Sequence, residues 1–574
     1  MRIDDSKTCS TLNYQQVVTF IHSVQCLGMQ SFFESPTENQ RLLRACSKSY
    51  EDQKFVAQDL QLIAHTIVAN LVDPLNQCSG SVYSSSFWRR YLSYWMINFI
   101  DAVFVEWLDL LLVGPSENEF LNPATSPIRR TTVRMSELLE ISQRPDWRSQ
   151  LKRDIWACMN GATPPQSHDE QKYTSDSATS TRPIKFRKKN LLGTNLLRQQ
   201  KVILCTTYLP KRYELALGLM LGVVPLRWRD HDYANVQFSS ESREKVAWQM
   251  QSGDGKTFSS VVLKLLPRYL PWTTVEGMDF LRRSYGESRR VPSVIFTANL
   301  HFSSDSFAFW SAFVSERGGK VLVSQHGGLN GQGYIPTRDE DLERSEFDGY
   351  LNWGWSDSEK SVRIPAQFNL GRRQFHWGRQ ERILLMCDST FRYKRRFWSD
   401  SERYRQHLLK TFQGLPIESR SKVLIRLHRD HARYDESHTL FWKQNFPEVE
   451  IDSGVKPIKE LYRQSRVVLC TTLGTTEIEC FFQNQPVLLS LDRTLHRVRP
   501  EFESLLGKLE KVGIAHLSHE SLARFLDQNL DSLDVWWAGG VVQSVVNEYL
   551  NVYGTKSQRL LRDYRDTIAR FRKR

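Results

Sequence analysis

From residue 201 onward the chain repeats a pattern that few architectures accommodate. Short runs rich in Val, Ile and Leu alternate with segments of helical period. "KVILCTTY" begins the series, helical "KRYELALGLMLG" follows, and "VVPLRW" reads as extended again. "SVIFTAN" (293–299), "SDSFAFWSAFVSERGG" (304–319) and "KVLVSQ" (320–325) then give strand, helix and strand. That spacing predicts a right-handed βαβ unit in a parallel sheet. A second series starts near 380 with "RILLMC" and "KVLIRLH", and continues through "LYRQSR", "VVLCTT", "TTEIECFFQNQ" and "PVLLSLD". Two such series in succession predict two Rossmann-like domains facing a cleft.

The segments before this α/β region differ. "FVAQDLQLIAHTIVANLVDPLN" (55–76) and "SSFWRRYLSYWMINFIDAVFVEWL" (85–108) place apolar residues at three- and four-residue steps, which predicts helices. The second, with its continuation to Gly114, is long and apolar. Asp101, Glu106 and Asp109 interrupt it, so it reads as a buried amphipathic helix and not as a membrane span. "GATPPQSHDEQKYTSDSATSTRP" (161–183) is polar and predicts a loop or linker. The resulting division is a helical region over 1–160, a linker over 161–190, a first α/β domain over 191–370 and a second over 371–555. A basic helix over 556–574 completes it.

With 574 residues, 40% of them hydrophobic and 25% charged, the chain fits a globular protein of two or more domains. Nine scattered cysteines without a CxxC pair suggest reduced thiols and a cytoplasmic setting, and the first residues lack an apolar signal core. A net charge of +13 favours polyanions, whether phosphates, nucleotides, nucleic acid or an anionic membrane face. Basic clusters at 185–190, 392–398 and 570–574 each suit an ordinary solvated surface as well.

Ligands of open α/β sheets bind beyond the carboxyl ends of the strands. His326 sits at such an end, directly after "KVLVSQ", and Gly327 and Gly328 follow it. Glycines there permit a tight turn or close backbone approach. An imidazole at a cleft mouth can take a proton from an attacking hydroxyl near neutral pH. A hydrogen-bonded loop histidine fits the same position, and position alone does not separate the two. Gln325 precedes it, and the preceding strand ends near Asn299 and His301. These suit acceptor hydroxyls or the orientation of His326, and Asn299 equally suits a helix cap.

In the second series "KVLIRLHRD" places His428 just past a strand, between Arg426 and Arg429. "VVLCTTLGTTEIEC" ends a strand in Thr471 and Thr472, and Gly474, Thr475 and Thr476 lead into a helix. Hydroxyls and amides at a helix N-terminus suit a phosphate or diphosphate. One threonine is enough for a cap, and four exceed that need. Glu479 lies a turn further on, where it can reach a ribose hydroxyl. The dinucleotide fingerprint, the Walker loop, HExxH and zinc spacings are missing from the sequence, so no metal or cofactor is expected. "RDHDY" (229–233) and "RDEDLE" (338–343) can hold a divalent ion, and solvated loops explain them more simply.

Residues 294–333, followed by "FDGYLNWGW", resemble a family of transferases encoded in bacterial O-antigen and surface-carbohydrate clusters, as does the helical stretch "LNQCSGSVYSSSFWRRYLSYWMINFIDAVFVEW". More distantly, the second half is similar to capsular Kdo transferases and polyol-phosphate transferases of GT-B fold, through Thr471, Thr472, Glu479 and Pro486. The resemblance implies a GT-B-like enzyme in which the threonines hold donor phosphate and Glu479 the ribose. It further implies His428 on the nucleotide side and His326 as general base of an inverting transfer. Arg429 stands where those families carry proline, and Asn484-Gln485 where they carry Gly-Lys. Asn tolerates the left-handed backbone that glycine supplies, so the turn is expected to survive.

The expected partners are a nucleotide-sugar, CMP-linked in one variant, and a glycan or lipid-linked glycan, with peripheral contact to the cytoplasmic membrane face. Nucleic acid is not expected as a partner. A polyol-phosphate transferase and a non-catalytic nucleic-acid- or anion-binding protein are the alternatives.

Overall fold

A computed structural model of the chain describes residues 37–46, 50–114, 131–162, 200–230, 233, 238–250, 255–286, 290–356, 358–367, 381–388, 393, 401–431 and 437–573. The expected linker and the basic clusters at 185–190 and 392–398 lie almost wholly outside those residues. Two compact units divide the described chain. One takes residues within Met1–Gln200, Arg227–Pro292 and Leu300–Gly319; the other takes Lys201–Leu226, Ser293–Asn299 and Lys320–Arg574.

The first unit is helical. Helices α1 (Tyr50–Asn70) and α2 (Ser85–Val113) pack together, with Asp101 and Glu106 of α2 fully buried. Lys152, on the helix Pro145–Met159, neutralises this acidic stretch from 3.6 Å to Glu106 and 2.5 Å to Asp109. Two of the three acids that break the membrane-like run, Glu106 and Asp109, are thus paired with a lysine of a neighbouring helix.

The second unit holds both sheets. In the first, β1 (Val202–Leu204), β2 (Val294–Thr297), β3 (Lys320–Ser324), β4 (Gly349–Asn352) and β5 (Ser361–Arg363) lie side by side in chain order, every pair parallel. In the other, β6 (Arg382–Met386), β7 (Val423–Arg426) and β8 (Glu450–Asp452) run one way from the centre. Strands β9 (Ser465–Cys470), β10 (Val487–Ser490) and β11 (Ala515–His516) run the other. All its pairs are parallel too, and the order reverses between β6 and β9. Strands β2, β4, β7 and β10 are buried along their whole length, as apolar runs covered on both faces must be.

Five helices matter for the site and its support. These are α3 (Lys211–Leu221), α4 (Asp305–Glu316), α5 (Arg338–Glu346), α6 (Thr476–Gln483) and α7 (Gly540–Tyr553). Helix α4, expected inside the 191–370 domain, groups with the first unit because Phe309 meets the rings of Phe87 and Tyr91 of α2 at 5.4 and 6.0 Å. "VVPLRW" contributes no strand to either sheet, and its Leu226 amide makes a single bond, to the Leu204 carbonyl.

The tail forms α8 (Leu560–Lys573), whose Leu560, Tyr564, Ile568 and Phe571 recur at helical spacing and cover the first sheet against Val202, Val294, Phe296 and Leu322. Gly349 leaves the room for Phe571, since a Cβ there would lie 2.7 Å from that ring. The helix is basic only on its outer side. Replacing buried Ile568 by Ala is expected to lower stability by about 2–5 kcal/mol, whereas exposed Arg572→Ala should stay within about 0.5 kcal/mol. Urea denaturation compares the two.

Candidate functional site

Strand β3 delivers His326 to the carboxyl edge of the first sheet, as its place in the sequence implies. Two carboxylates meet it there. The Nδ1 atom lies 3.4 Å from Glu343 and Nε2 lies 3.4 Å from Asp339. Both acids belong to α5, four residues apart and so on one helical face. Thr337 caps that helix by accepting the Glu340 amide, which fixes its register. A carboxylate can only accept, so the protonated ring suits both neighbours, although the Nδ1 contact is an ion-pair approach and not a formed hydrogen bond. Burial alone would lower the imidazole's pKa, but the charge of Glu343 and the contacts with Asp339 outweigh it and raise the value well above that of an ordinary histidine. Both carboxylates thus favour the protonated ring. An imidazolium has no lone pair to offer, so His326 can serve as the expected base only after it has released a proton.

Around His326 the loop is tightly bonded. Gln325 is buried and donates to the Gly327 carbonyl, while its Oε1 accepts from the Trp353 amide and the Trp355 indole. Its carbonyl oxygen and one N–H are engaged within the protein, which leaves one N–H of the expected acceptor-binding group. Gly327 has open space where a Cβ would stand, whereas a Cβ on Gly328 would fall 1.7 Å from the Gly474 carbonyl oxygen. The Gly328 amide donates to Thr475 Oγ1 at 3.0 Å. The histidine loop and the threonine turn are thus in direct contact. Asn299 sits in the same unit, its amide 2.6 Å from the Tyr208 hydroxyl, and His301 belongs to the helical unit, buried against Phe302.

The threonine turn lies at the end of β9, where the strand order reverses. In doubly wound sheets that is the ligand crevice. Its four threonines are not equivalent. Thr471 is buried, donates to the Met386 carbonyl and accepts from Tyr404, so it braces β9 against β6. Thr475 accepts the Gly328 amide. Thr472 and Thr476 are partly exposed. The Gly474 amide is already taken by both oxygens of buried Glu477, at 2.8 and 3.0 Å. Glu479 accepts from Tyr462 at 3.2 Å.

Arg426 forms a buried ion pair with Asp452 and also donates to the Lys456 carbonyl, which removes it from the set of cations open to a ligand. Arg429 is 77% exposed beside Asp430, and His428 is half-buried with Nδ1 accepting the Asp430 amide. In the neutral ring that contact leaves Nε2 as the donor nitrogen. Asn484 closes α6 with φ +59°, so the turn survives its missing glycine. Among the described residues, no group of three or more His, Cys, Asp or Glu side chains is arranged to hold a metal ion.

Sequence reasoning missed Asp339, Glu343 and Glu477. "RDEDLE" looked like a solvated loop or an ion site. The available signal was the four-residue spacing of Asp339 and Glu343 after a capping Thr337, which marks a helix with an acidic face.

Gly328→Ala is expected to cost about 1–3 kcal/mol or more through the backbone collision, while Gly327→Ala should be silent in the same denaturation experiment. His326 also predicts a pH dependence. Its folded pKa exceeds its unfolded value of about 6.5, so its contribution is fully present below that pH and lost as pH rises through the folded value. The stability difference between wild type and His326→Gln, followed from pH 6 upward, should shrink.

A comparison with curated proteins returns no match. Among solved structures, a structure of the wall teichoic acid polymerase TagF is 10% identical and superposes with a TM-score of 0.32, covering 68% of this chain and 99% of that one. WaaG, a glycosyltransferase involved in lipopolysaccharide biosynthesis, is 13% identical with a TM-score of 0.30, covering 64% of this chain and 99% of that one. Superpositions at these scores decide neither fold nor activity, and the α/β architecture rests on its own strand order. The sequence match is far broader: residues 23–568 fit the family described as LIC12162 family transferase, and the chain belongs to that family of transferases.

Proposed function

We propose that this transferase moves a sugar from a nucleotide-activated donor to a glycan hydroxyl, with donor and acceptor meeting where the histidine loop touches the threonine turn. The observation that carries the reading is the Gly328 to Thr475 bond, with no room for a side chain at residue 328. It ties the loop that carries His326, two residues earlier in the chain, to the loop that enters α6.

In this reading the nucleotide lies at the reversal between β6 and β9. Its phosphates take hydrogen bonds from Thr472, Thr476 and the first amides of α6, where the helix dipole favours negative charge. His428 donates through Nε2, and exposed Arg429 supplies the cation that Arg426 cannot. Glu479, turned towards Tyr462, lies within the same helix for a ribose hydroxyl. The acceptor approaches from the first sheet, past Asn299 and Tyr208, and His326 receives its proton once it has lost its own. Direct displacement inverts the anomeric centre: the acceptor oxygen bonds the carbon as the bond to the phosphate oxygen breaks, and the nucleotide leaves with the electron pair.

Thermal-shift measurements with CMP, CDP, UDP and GDP test the donor side. A nucleotide present at a hundredfold excess over its Kd should stabilise the native state by about 2.7 kcal/mol. His326→Gln is expected to keep that shift and lose transfer, while Thr472→Val combined with Thr476→Val should weaken the shift. Product mass then reads whether a sugar or a polyol-phosphate has moved. Binding to DNA or RNA that falls steeply with salt, without any nucleotide shift, would overturn the reading in favour of a nucleic-acid-binding protein.

A further inference from the structure

We propose that Glu343 is the positioning residue of His326, and that Asp339 is a resting-state cap on Nε2 which the acceptor hydroxyl must displace before transfer. This rests on the transferase reading above and adds how its histidine is kept idle between turnovers.

The two carboxylates face the ring at equal distance, 3.4 Å each, yet differ in what else can reach them. Glu343 is 1% exposed, enclosed beneath α5 with the Tyr350 ring of β4 near it. No incoming hydroxyl reaches it, so its contact with Nδ1 is permanent. Asp339 is 29% exposed and sits in the first turn of α5, so it covers Nε2 from the solvent side. Of the two acids between them in sequence, Glu340 is matched separately: Arg499 lies 2.5 Å and Arg344 3.5 Å away, and the Gly331 amide donates to it. Among the described residues, the carboxylates paired with the His326 ring are Glu343 and Asp339.

Two carboxylates hold the ring as a cation, whereas one holds it as an oriented base. In the capped state Nε2 carries a proton and cannot accept another, so water in the site is not activated against the donor. Entry of the acceptor moves Asp339 aside. The Nε2 proton leaves with the Asp339 carboxylate as a carboxylic acid and passes to solvent, which leaves a neutral ring oriented by Glu343. The acceptor O–H then gives its proton to Nε2 as its oxygen bonds the anomeric carbon. The bond to the nucleotide phosphate breaks with its electron pair on the leaving group.

The test compares wild type, Asp339→Asn, Asp339→Glu and Glu343→Gln. Histidine NMR reads the His326 titration, and two assays read donor hydrolysis without acceptor and transfer with it. Asp339→Asn should lower the His326 midpoint and raise donor hydrolysis, by about tenfold for each unit the midpoint falls while the ring is still mostly protonated. The acid limb of its kcat/KM profile should move to lower pH. Asp339→Glu should restore the cap, and Glu343→Gln should lower kcat with little change in KM. Parallel loss of hydrolysis and transfer in Asp339→Asn would overturn the proposal, since Asp339 would then serve the chemistry itself. So would an unchanged His326 midpoint. If wild type turns over no nucleotide donor and binds none, the transferase reading fails, and the displacement step fails with it even where the His326 titration behaves as expected.

Discussion

The amide of Gly328 donates to a threonine on a loop of the other sheet, and the backbone at residue 328 lies so close to Gly474 that even a methyl group would collide. Much of the candidate site depends on this approach. It is held by more than the one bond. Gly333 pairs with Val498 as an antiparallel bridge, and the Tyr334 amide donates to the Arg497 carbonyl. Arg499 donates to the Gly333 carbonyl and to Glu340. The loop after β3 is thus anchored to the segment after β10, and its conformation is set by partners far away in sequence. Such a network stabilises when every member is satisfied and costs several kcal/mol when one is left unpaired.

The same loops explain why few of the charged residues are open to a ligand. Arg426 is committed to Asp452, Arg499 to Glu340, and His326 to Glu343 and Asp339. A buried charge without a counter-ion is far more costly than a pair, so each of these must be matched before a ligand arrives. The net charge of +13 therefore says little about the site. Exposed Arg429, just past β7, remains accessible, and the donor phosphate proposed above would rest largely on hydroxyls and amides.

How much of this could be read beforehand follows from what each feature requires. Strands β1, β2, β3, β6, β7, β9 and β10 announce themselves as apolar runs cut off by polar residues, and the helix after Thr475 by its cap-like start. "GYLN", "SVR", "EID" and "AH" do not, because they are short and take their strand character from neighbours that complete the ladder. Asn484 was legible, since a left-handed residue is required there and asparagine is the non-glycine residue that tolerates it most readily. His326 was legible as a position but not as a charge state. Its protonation is decided by two residues 13 and 17 positions on, brought to it only by the fold. The threonines failed in a related way. Composition counts four hydroxyls, whereas packing turns Thr471 inward and gives Thr475 a backbone partner.

Glu477 shows why the two loops act as one body. Its carboxylate accepts the Gly474 amide and the Tyr549 hydroxyl, the latter at 3.3 Å. The Tyr549 oxygen accepts from Gln332, whose same nitrogen donates to the Gly328 carbonyl at 2.9 Å. Gly328 in turn donates to Thr475, next to Gly474. A ring of hydrogen bonds thus closes through the histidine loop, α7 and the start of α6. Because the carboxylate of Glu477 already occupies the Gly474 amide, that amide is not open to an anion, and the phosphate contacts proposed above fall to Thr472, Thr476 and the first amides of α6. The start of α6 and the backbone that carries His326 are tied together by that one hydrogen-bonded ring.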